Sequence, residues 1–546
     1  MSQFREITIG NLLRETAGKY PDHDALIYPE FGIRQNYSEF LGNCEKVAKG
    51  FMALGVKRGD HVSAWATNVP EWVYMQFGLS MIGAVLVTVN TNYKSHELEY
   101  ILQQSDSTTL VHIRDYRDTS YYDIVRQVVP ELGNQAKGAI NSEKLPYLKN
   151  VVLAGEGDAA PGMFLFNEVL SRGEAVSDAD LKAREESLDV HDTINMQYTS
   201  GTTGFPKGVM LTHYNIVNNA RMVGDVMGMT EKDRLLIQVP LFHCFGCVMS
   251  TLNSVYHGST MVVLESFDPL KALQSIEKEQ CTAINGVPTM FIAMLAHPDF
   301  EKYNMKSLRT GIMAGAPCPV ETMNQVRTRM HCPEVVIAFG QTECSPVMTM
   351  TRRDDPVELR VSTVGRLLPD IEGKIVEPDS GEDLPVNTQG EIVTRSDCVM
   401  KGYYKMQDAT EAAIDEEGWL HTGDLGIVDE NGYFKVTGRI KDMIIRGGEN
   451  VYPREIEEFL HAHEKVSDVH VVGVPDEKYG EQVLAAIQLR DGESATAEEF
   501  REYCNGKIAR HKIPRYFEFV KEYPMTASGK VQKYKLRELF AAKYAS

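Results

Sequence analysis

The chain has no long apolar run. Its most apolar window, Phe77 to Val89 (FGLSMIGAVLVTV), is too short to span a bilayer, so no transmembrane segment is expected. That window reads as a buried helix running into a strand. There is no excess of basic residues either. With 76 Asp and Glu against 56 Lys and Arg, the formal net charge is −20, which makes nucleic acid an unexpected partner. Anionic small ligands stay open, because local cation clusters can hold them. The first twenty residues carry Glu6 and Glu15 beside their arginines and no apolar core, so they read as neither signal nor transit peptide. Nine scattered cysteines cannot all pair, and reduced thiols in a cytoplasm are the natural reading. Cys244 and Cys247 form a CxxC, but a second pair and a thioredoxin-like context are both missing, so packing cysteines are expected. No internal repeat or low-complexity tract occurs, and nothing specifies an oligomeric state.

What is present is the composition of a globular protein, 43% hydrophobic and 24% charged, in a chain of 546 residues too long for one core. Up to about residue 190, helical and strand patterns alternate: helices over Ile9–Ala17, Ser38–Leu54 and Val69–Ile82, and strands over Ala25–Tyr28, His61–Trp65 and Ala84–Val89. That is the rhythm of a parallel or mixed sheet covered by helices. The acidic run Ser177–Asp192 reads as an exposed helix or linker. From 194 to 350, Leu235–Val239, Thr260–Leu264, Ala283–Gly286, Thr310–Ala314 and Val335–Phe339 read as strands. After 360, short strands parted by DSGED (379–383), EEG (416–418) and ENG (430–432) suggest a small β-rich subdomain of hairpins. Beyond Gly438 charge density rises in a compact α/β pattern. The expected fold class is α/β: a large N-terminal domain of mixed sheets with that subdomain, then a small α+β C-terminal domain.

The stretch around which the rest is organised is Tyr198–Gly208, YTSGTTGFPKG. Its hydroxyls (Tyr198, Thr199, Ser200, Thr202, Thr203), glycines (Gly201, Gly204, Gly208) and Lys207 suit a polyphosphate. Glycine lets backbone N–H groups approach an anion, hydroxyls add short donors, and lysine adds a point charge. The alternative is a solvated Ser/Thr/Gly linker. Apolar flanks (Ile194, Met196; Val209, Met210, Leu211) and the closing lysine favour phosphate. The spacing is not that of a P-loop.

YTSGTTGFPKG resembles the signature of the adenylate-forming superfamily, which holds acyl-CoA synthetases, peptide-synthetase adenylation domains and luciferases. Further motifs match in order. Ala338–Pro346, AFGQTECSP, offers Phe339 and Gly340 to a base, Gln341 to the nucleotide, Thr342 to a phosphate, and Glu343 to Mg²⁺ with water and phosphate completing the octahedron. The superfamily more often begins this motif with Tyr; Phe339 keeps the stacking face without the hydroxyl. Gly315-Ala316-Pro317 resembles the segment that lies against adenine. In WLHTGDLG (419–426), Asp424 can accept from both ribose hydroxyls, and Arg439 could reach ribose or phosphate from the other side.

By the same resemblance, Lys441 sits where the family hinges. The loop Gly447-Gly448-Glu449-Asn450 would line the pantetheine tunnel, where a thiol arm passes close to the backbone. PMTASGKVQK (524–533) would put Lys530 in the catalytic centre. The resemblance implies an N-terminal AMP-binding domain, 1–437, holding acyl and ATP sites, and a mobile C-terminal domain, 438–546. It implies an ATP-dependent, AMP-forming acyl-CoA synthetase whose cofactors and partners are ATP, Mg²⁺, coenzyme A and a small carboxylic acid. The acyl pocket would be lined by PLFHCFGCVMS (240–250), VPTMF (287–291) and CSPVM (344–348), none of them acidic, with His243 as a gate beside the carboxylate. An amino-acid substrate would need a carboxylate for its ammonium. Medium-chain fatty acyl-CoA ligases are the nearest branch, on MIIRGGENVYP, HYNIVNN (213–219) and the KIP-to-SGK tail (512–530); aryl or alicyclic acids are the alternative.

Overall fold

The computed structural model describes residues 4–155, 157–199, 206–447, 449–476, 478–525 and 531–544. It divides into two compact units. The first is Met1–Glu372 with Arg395–Leu420, and the second is Gly373–Thr394 with His421–Ser546. The expected boundary at 437 lies inside the second unit, within the strand Phe434–Arg439.

Two sheets organise the first unit. In the nine-stranded sheet the six inner strands run parallel, in the order Glu334–Phe339, Thr310–Ala314, Ala283–Gly286, Arg234–Ile237, Thr260–Val263, Asp24–Tyr28. The strands Thr260–Val263, Ala283–Gly286 and Thr310–Ala314 are buried throughout, as sheets covered on both faces require. The eight-stranded sheet has a parallel core of Val85–Thr88, His61–Trp65, Thr109–His112 and Asn150–Leu153. To this core the strand Thr193–Thr199 adds in parallel, and Lys207–Thr212 and then Gly402–Tyr403 add antiparallel. The sheet therefore ends in an antiparallel edge, with Gly402–Tyr403 outermost.

The apolar window resolves as expected. A helix Pro70–Ile82, opened by proline at its first turn, ends at Gly83 in the left-handed conformation (φ +70°), and the strand Val85–Thr88 follows. A Cβ on Gly83 would come within 2.6 Å of Leu188 Cδ2, so both backbone and space call for glycine. The acidic run holds a helix, Asp178–Glu186, capped by Ser177. It is more anchored than a linker: Leu181 is buried, and Glu185 binds Arg14 at 3.0 Å. Cys244 and Cys247 are both buried. Among the described residues no helix is long and apolar enough to cross a membrane.

The second unit carries a four-stranded sheet, Glu372–Val376, Gly390–Arg395, Leu420–Val428 and Phe434–Arg439, which is the β-rich part the turn signals announced. It also carries a five-stranded sheet built on the long antiparallel pair Val466–Asp476 and Gly480–Leu489. Alternation along that pair sends Val469, Val471, Ala485 and Ile487 to a core with Ile456, Leu460 and Phe500. It sends Val472, Val474, Leu484 and Ala486 to another with Leu536 and Phe540, so helices cover both faces.

Two histidines of the first unit are buried and neutral. His213 accepts the Ile9 N–H through Nδ1 at 3.1 Å, and the ring of His112 lies 2.8 Å from the Ile113 carbonyl. Burial pulls both down from 6.5 to about 4. The unfolded chain therefore binds more protons between those values. The stabilising contribution is complete above pH 6.5 and falls as pH drops toward 4, by about 1.4 kcal/mol per pH unit for each ring. Denaturant midpoints for the first unit should decline over that window, and a His112→Asn/His213→Asn variant should show a shallower decline between pH 6.5 and 5.

Candidate active site

The signature strand Thr193–Thr199 and the return strand Lys207–Thr212 pair antiparallel, and their last register sets Thr199 opposite Lys207. Ser200, Gly201, Thr202, Thr203 and Gly204 lie outside the described residues; the two feet of their loop are fixed by this ladder. Beyond the return strand comes Gly402–Tyr403, with Tyr403 opposite Val209. The Tyr403 hydroxyl donates to Glu343 Oε1 at 2.8 Å, and Thr199 Oγ1 donates to the same oxygen at 3.4 Å. Lys207 Nζ sits 4.7 Å from the centre of the Tyr403 ring. Burial, and then the Glu343 charge, push the Tyr403 phenol well above its usual range, so it remains an O–H donor. One aromatic ring thus has a cation against its face and a carboxylate at its hydroxyl.

Glu343 is buried in the short turn Thr342–Cys344 and its carbonyl accepts the Met400 N–H at 2.8 Å. Among the described residues both hydrogen bonds to its carboxylate go to Oε1. Oε2 is left as a single oxygen ligand, which fits a magnesium ion that keeps waters and phosphate oxygens around it. Buried Asn219, on the helix His213–Met227, holds the loop from behind, donating to the Cys344 and Val347 carbonyls at 3.4 and 2.8 Å.

Gly315-Ala316-Pro317 and Phe339-Gly340-Gln341-Thr342 leave the C-terminal ends of neighbouring parallel strands, where Ala314 pairs with Ala338. Ligands of open parallel sheets bind at such ends. Gly315 has φ +89°, and its segment is exposed. Gly340 is required by proximity, since a Cβ there would lie 2.1 Å from the Pro346 carbonyl oxygen. His243 follows the strand Arg234–Ile237 and is half-buried. Its Nδ1 accepts the Phe245 N–H at 3.2 Å, which places the ring proton on Nε2.

In the second unit, a β-bulge between Leu425 and Gly426 shifts the hairpin register so that Asp424 faces Arg439. Arg439 Nε donates to Asp424 Oδ1 at 2.8 Å, with the aspartate side chain 5% exposed and the arginine 48%. The expected placement of Arg439 across a ribose is thus, here, a direct contact with the carboxylate. Glu391 steadies the turn, taking the Gly423 N–H at 2.9 Å on one oxygen and facing His421 Nδ1 at 2.8 Å with the other. Lys441 lies in the exposed turn Ile440–Asp442. The strands Ile444–Arg446 and Glu449–Val451 pair antiparallel with Arg446 opposite Glu449. Gly447 adopts φ +62° and donates its N–H to the Tyr479 carbonyl at 2.7 Å. Gly448 and Lys530 lie outside the described residues. Met525 and Val531, which flank the Lys530 segment, form an antiparallel bridge.

A family described as AMP-binding enzyme matches residues 13–404, and its C-terminal domain matches residues 455–530. The chain belongs to the AMP-binding enzyme family. The Bacillus subtilis protein YngI is 54% identical over 98% of both chains. The mitochondrial medium-chain acyl-CoA ligase ACSF2 of Danio rerio is 42% identical over 97% of this chain and 88% of its own. Among solved structures, ATP-bound MatB from Rhodopseudomonas palustris superposes with TM-score 0.84 at 27% identity, covering 98% of this chain and 100% of that one. The anthranilate CoA ligase AuaEII with anthranoyl-AMP gives 0.83 at 26%, covering 99% and 98%. The chain is an AMP-forming acid–CoA ligase of this family, whose substrates are a carboxylic acid, ATP and coenzyme A and whose metal is magnesium.

Sequence reasoning missed several residues of this candidate site. Tyr403 stands in the plain run KGYYKM and becomes significant only through its contact with Glu343. Gln76 and Gln197 brace the loop after His243, donating to the Cys247 carbonyl at 2.7 Å and to Cys247 Sγ at 3.0 Å. They are needed because Cys247–Leu252 winds as a π-helical turn, a local irregularity common at functional sites.

Tyr403→Phe keeps the ring under Lys207 and removes only the hydroxyl. Losing one hydrogen bond to a charged group should raise the KM for MgATP in pyrophosphate release by about 3- to 30-fold, with the KM for the acid unchanged.

Proposed function

We propose that the acid is a medium-chain fatty acid, activated as an acyl-adenylate and then passed to CoA. The observation that supports this most is the 42% identity, across nearly the whole chain, to a protein named as a medium-chain acyl-CoA ligase. The stretches expected to line the acyl site agree: Phe245, Val248, Met249, Val287, Phe291, Val347 and Met348 are buried and apolar, with no acidic side chain among them. The second reading, an aryl-carboxylate CoA ligase, is favoured by the likeness to AuaEII.

The residue roles follow from electrostatics. A carboxylate is a poor electrophile, and attack on the α-phosphate brings two anions together. Cations placed beforehand where charge gathers lower that barrier most. Lys530 bridges the attacking carboxylate and the α-phosphate. Lys207 and the hydroxyls of Thr199, Ser200, Thr202 and Thr203 take the departing pyrophosphate; Glu343 would hold magnesium, which would supply charge neutralisation there. Gly315–Pro317, Phe339 and Gly340 hold the adenine, Thr342 donates to a phosphate, Asp424 takes the ribose, and Arg439 reaches the ribose or a phosphate. His243 places its Nε2–H beside the carboxylate. In the second half-reaction the C-terminal domain, taken as 438–546, turns at Lys441, so that Lys530 withdraws and Gly447–Asn450 admit the thiol. Free thiols, nearly all buried, a net negative charge and the Bacillus subtilis relative support a cytoplasmic location.

Pyrophosphate release with straight-chain acids from acetate to palmitate and with aryl acids, each with and without CoA, tests the substrate. A maximum at aryl acids would replace the medium-chain reading. Lys530→Ala should lose on the order of 10²–10³ in adenylation and still convert supplied acyl-adenylate to thioester. An equal fall in both half-reactions would refute the alternation.

A further inference from the structure

The two feet of the phosphate loop are held by one helix that carries no recognised motif. The helix Ser95–Gln104 presents Tyr100 and Gln104 on one face, four residues apart. The Tyr100 hydroxyl donates to the Pro206 carbonyl at 3.0 Å, just before Lys207. Gln104 reaches the other foot, where Tyr198 donates its hydroxyl to Gln104 Oε1. The opposite end of the same amide, Nε2, donates to the Tyr404 carbonyl at 2.8 Å. A carbonyl only accepts, so nitrogen must face Tyr404 and oxygen must face Tyr198; no other orientation satisfies both. Tyr404 is held further by its hydroxyl on Asp106 Oδ2 at 2.9 Å and by its N–H on the Gly208 carbonyl at 2.8 Å. Its neighbour is Tyr403, whose hydroxyl holds Glu343.

We propose that Gln104 is a positioning residue for the adenylation half-reaction. Its amide couples Tyr198, at the entry to the phosphate loop, to the Tyr403–Tyr404 segment, and so sets Glu343 and Lys207 for MgATP without touching the nucleotide. The proposal rests on reading Glu343 and Lys207 as the magnesium and phosphate groups. Glutamine is the side chain the geometry asks for: glutamate keeps the acceptor for Tyr198 but sets a carboxylate against the Tyr404 carbonyl, and alanine removes both bonds.

The test uses the full chain with Gln104→Ala, Gln104→Glu, Tyr403→Phe, the Gln104→Ala/Tyr403→Phe double variant and, in parallel, Glu343→Gln. Adenylation is read as pyrophosphate release against MgATP, free magnesium and acid. The second half-reaction is read from supplied acyl-adenylate and CoA. Gln104→Ala should raise the KM for MgATP by roughly 5- to 30-fold, leave the KM for the acid and the thioester step unchanged, and combine with Tyr403→Phe less than multiplicatively. Gln104→Glu should be at least as impaired as Gln104→Ala. An unchanged KM for MgATP, a multiplicative double variant, or a parallel fall of both half-reactions would overturn the proposal, the last because it marks a merely structural residue. If Glu343→Gln leaves the magnesium dependence untouched, the reading of Glu343 fails; if it shifts that dependence while Gln104→Ala does not, only the role of Gln104 fails.

Discussion

A ligase that joins a carboxylate to a nucleotide must gather positive charge around polyanions without leaving any charge buried and unpaired when they depart. In this chain that constraint is met at the Tyr403 ring. Lys207 rests on its face and Glu343 on its hydroxyl, so among the described residues each charge has a soft, neutral partner in place of a full counter-ion. A direct Lys207–Glu343 ion pair would neutralise the two groups against each other, and an incoming magnesium–phosphate complex would have to break it. A phenol between them is held protonated by burial and by the carboxylate itself. It offers hydrogen bonding and quadrupole attraction while leaving Glu343 Oε2 without a bond among the described residues.

The fold explains how that ring comes to lie there. Parallel strands buried on both faces form a stiff frame, and the chemistry-bearing residues sit where the parallel order ends. On the nine-stranded sheet this is the C-terminal edge, from which the His243, Gly315 and Phe339 segments emerge. On the eight-stranded sheet it is the antiparallel margin formed by Thr193–Thr199, Lys207–Thr212 and Gly402–Tyr403. Loops at these places can approach one another closely because Gly340 lacks a Cβ and because Asn219 satisfies the backbone carbonyls that the turn after Glu343 leaves over. The apolar frame supplies the stability, and side-chain amides supply the order of the loops.

The strands and helices were legible because their periodicities are local. Pro70 and Gly83 punctuate a helix, and the turn signals at 379–383 and 430–432 flank real strands. The signature, Glu343 and Asp424 stand out in the sequence because their residue types carry chemistry at fixed spacing. What was hidden acts across the chain. Gln104 meets Tyr404 from 300 positions away and Tyr198 from 94, and a lone glutamine ending an amphipathic helix looks like any solvated residue. The Asp424–Arg439 contact was hidden for a different reason. An unbroken hairpin through ENG would set Asp424 opposite Gly438, and one extra residue at the bulge moves Arg439 into register.

That contact also bears on how a ribose could be taken up. Asp424 is nearly enclosed, and a buried carboxylate stripped of donors is costly. Arg439 is half exposed, so its guanidinium regains water on leaving. In the proposed reaction, two ribose hydroxyls offer Asp424 the kind of donor that the guanidinium N–H supplies. The exchange replaces one donor by others on the same oxygens, and its free-energy cost is correspondingly small. Glu391 and Thr422 hold the turn through the Gly423 N–H and the Ile392 carbonyl, independently of Arg439, so the carboxylate keeps its place while its partner changes.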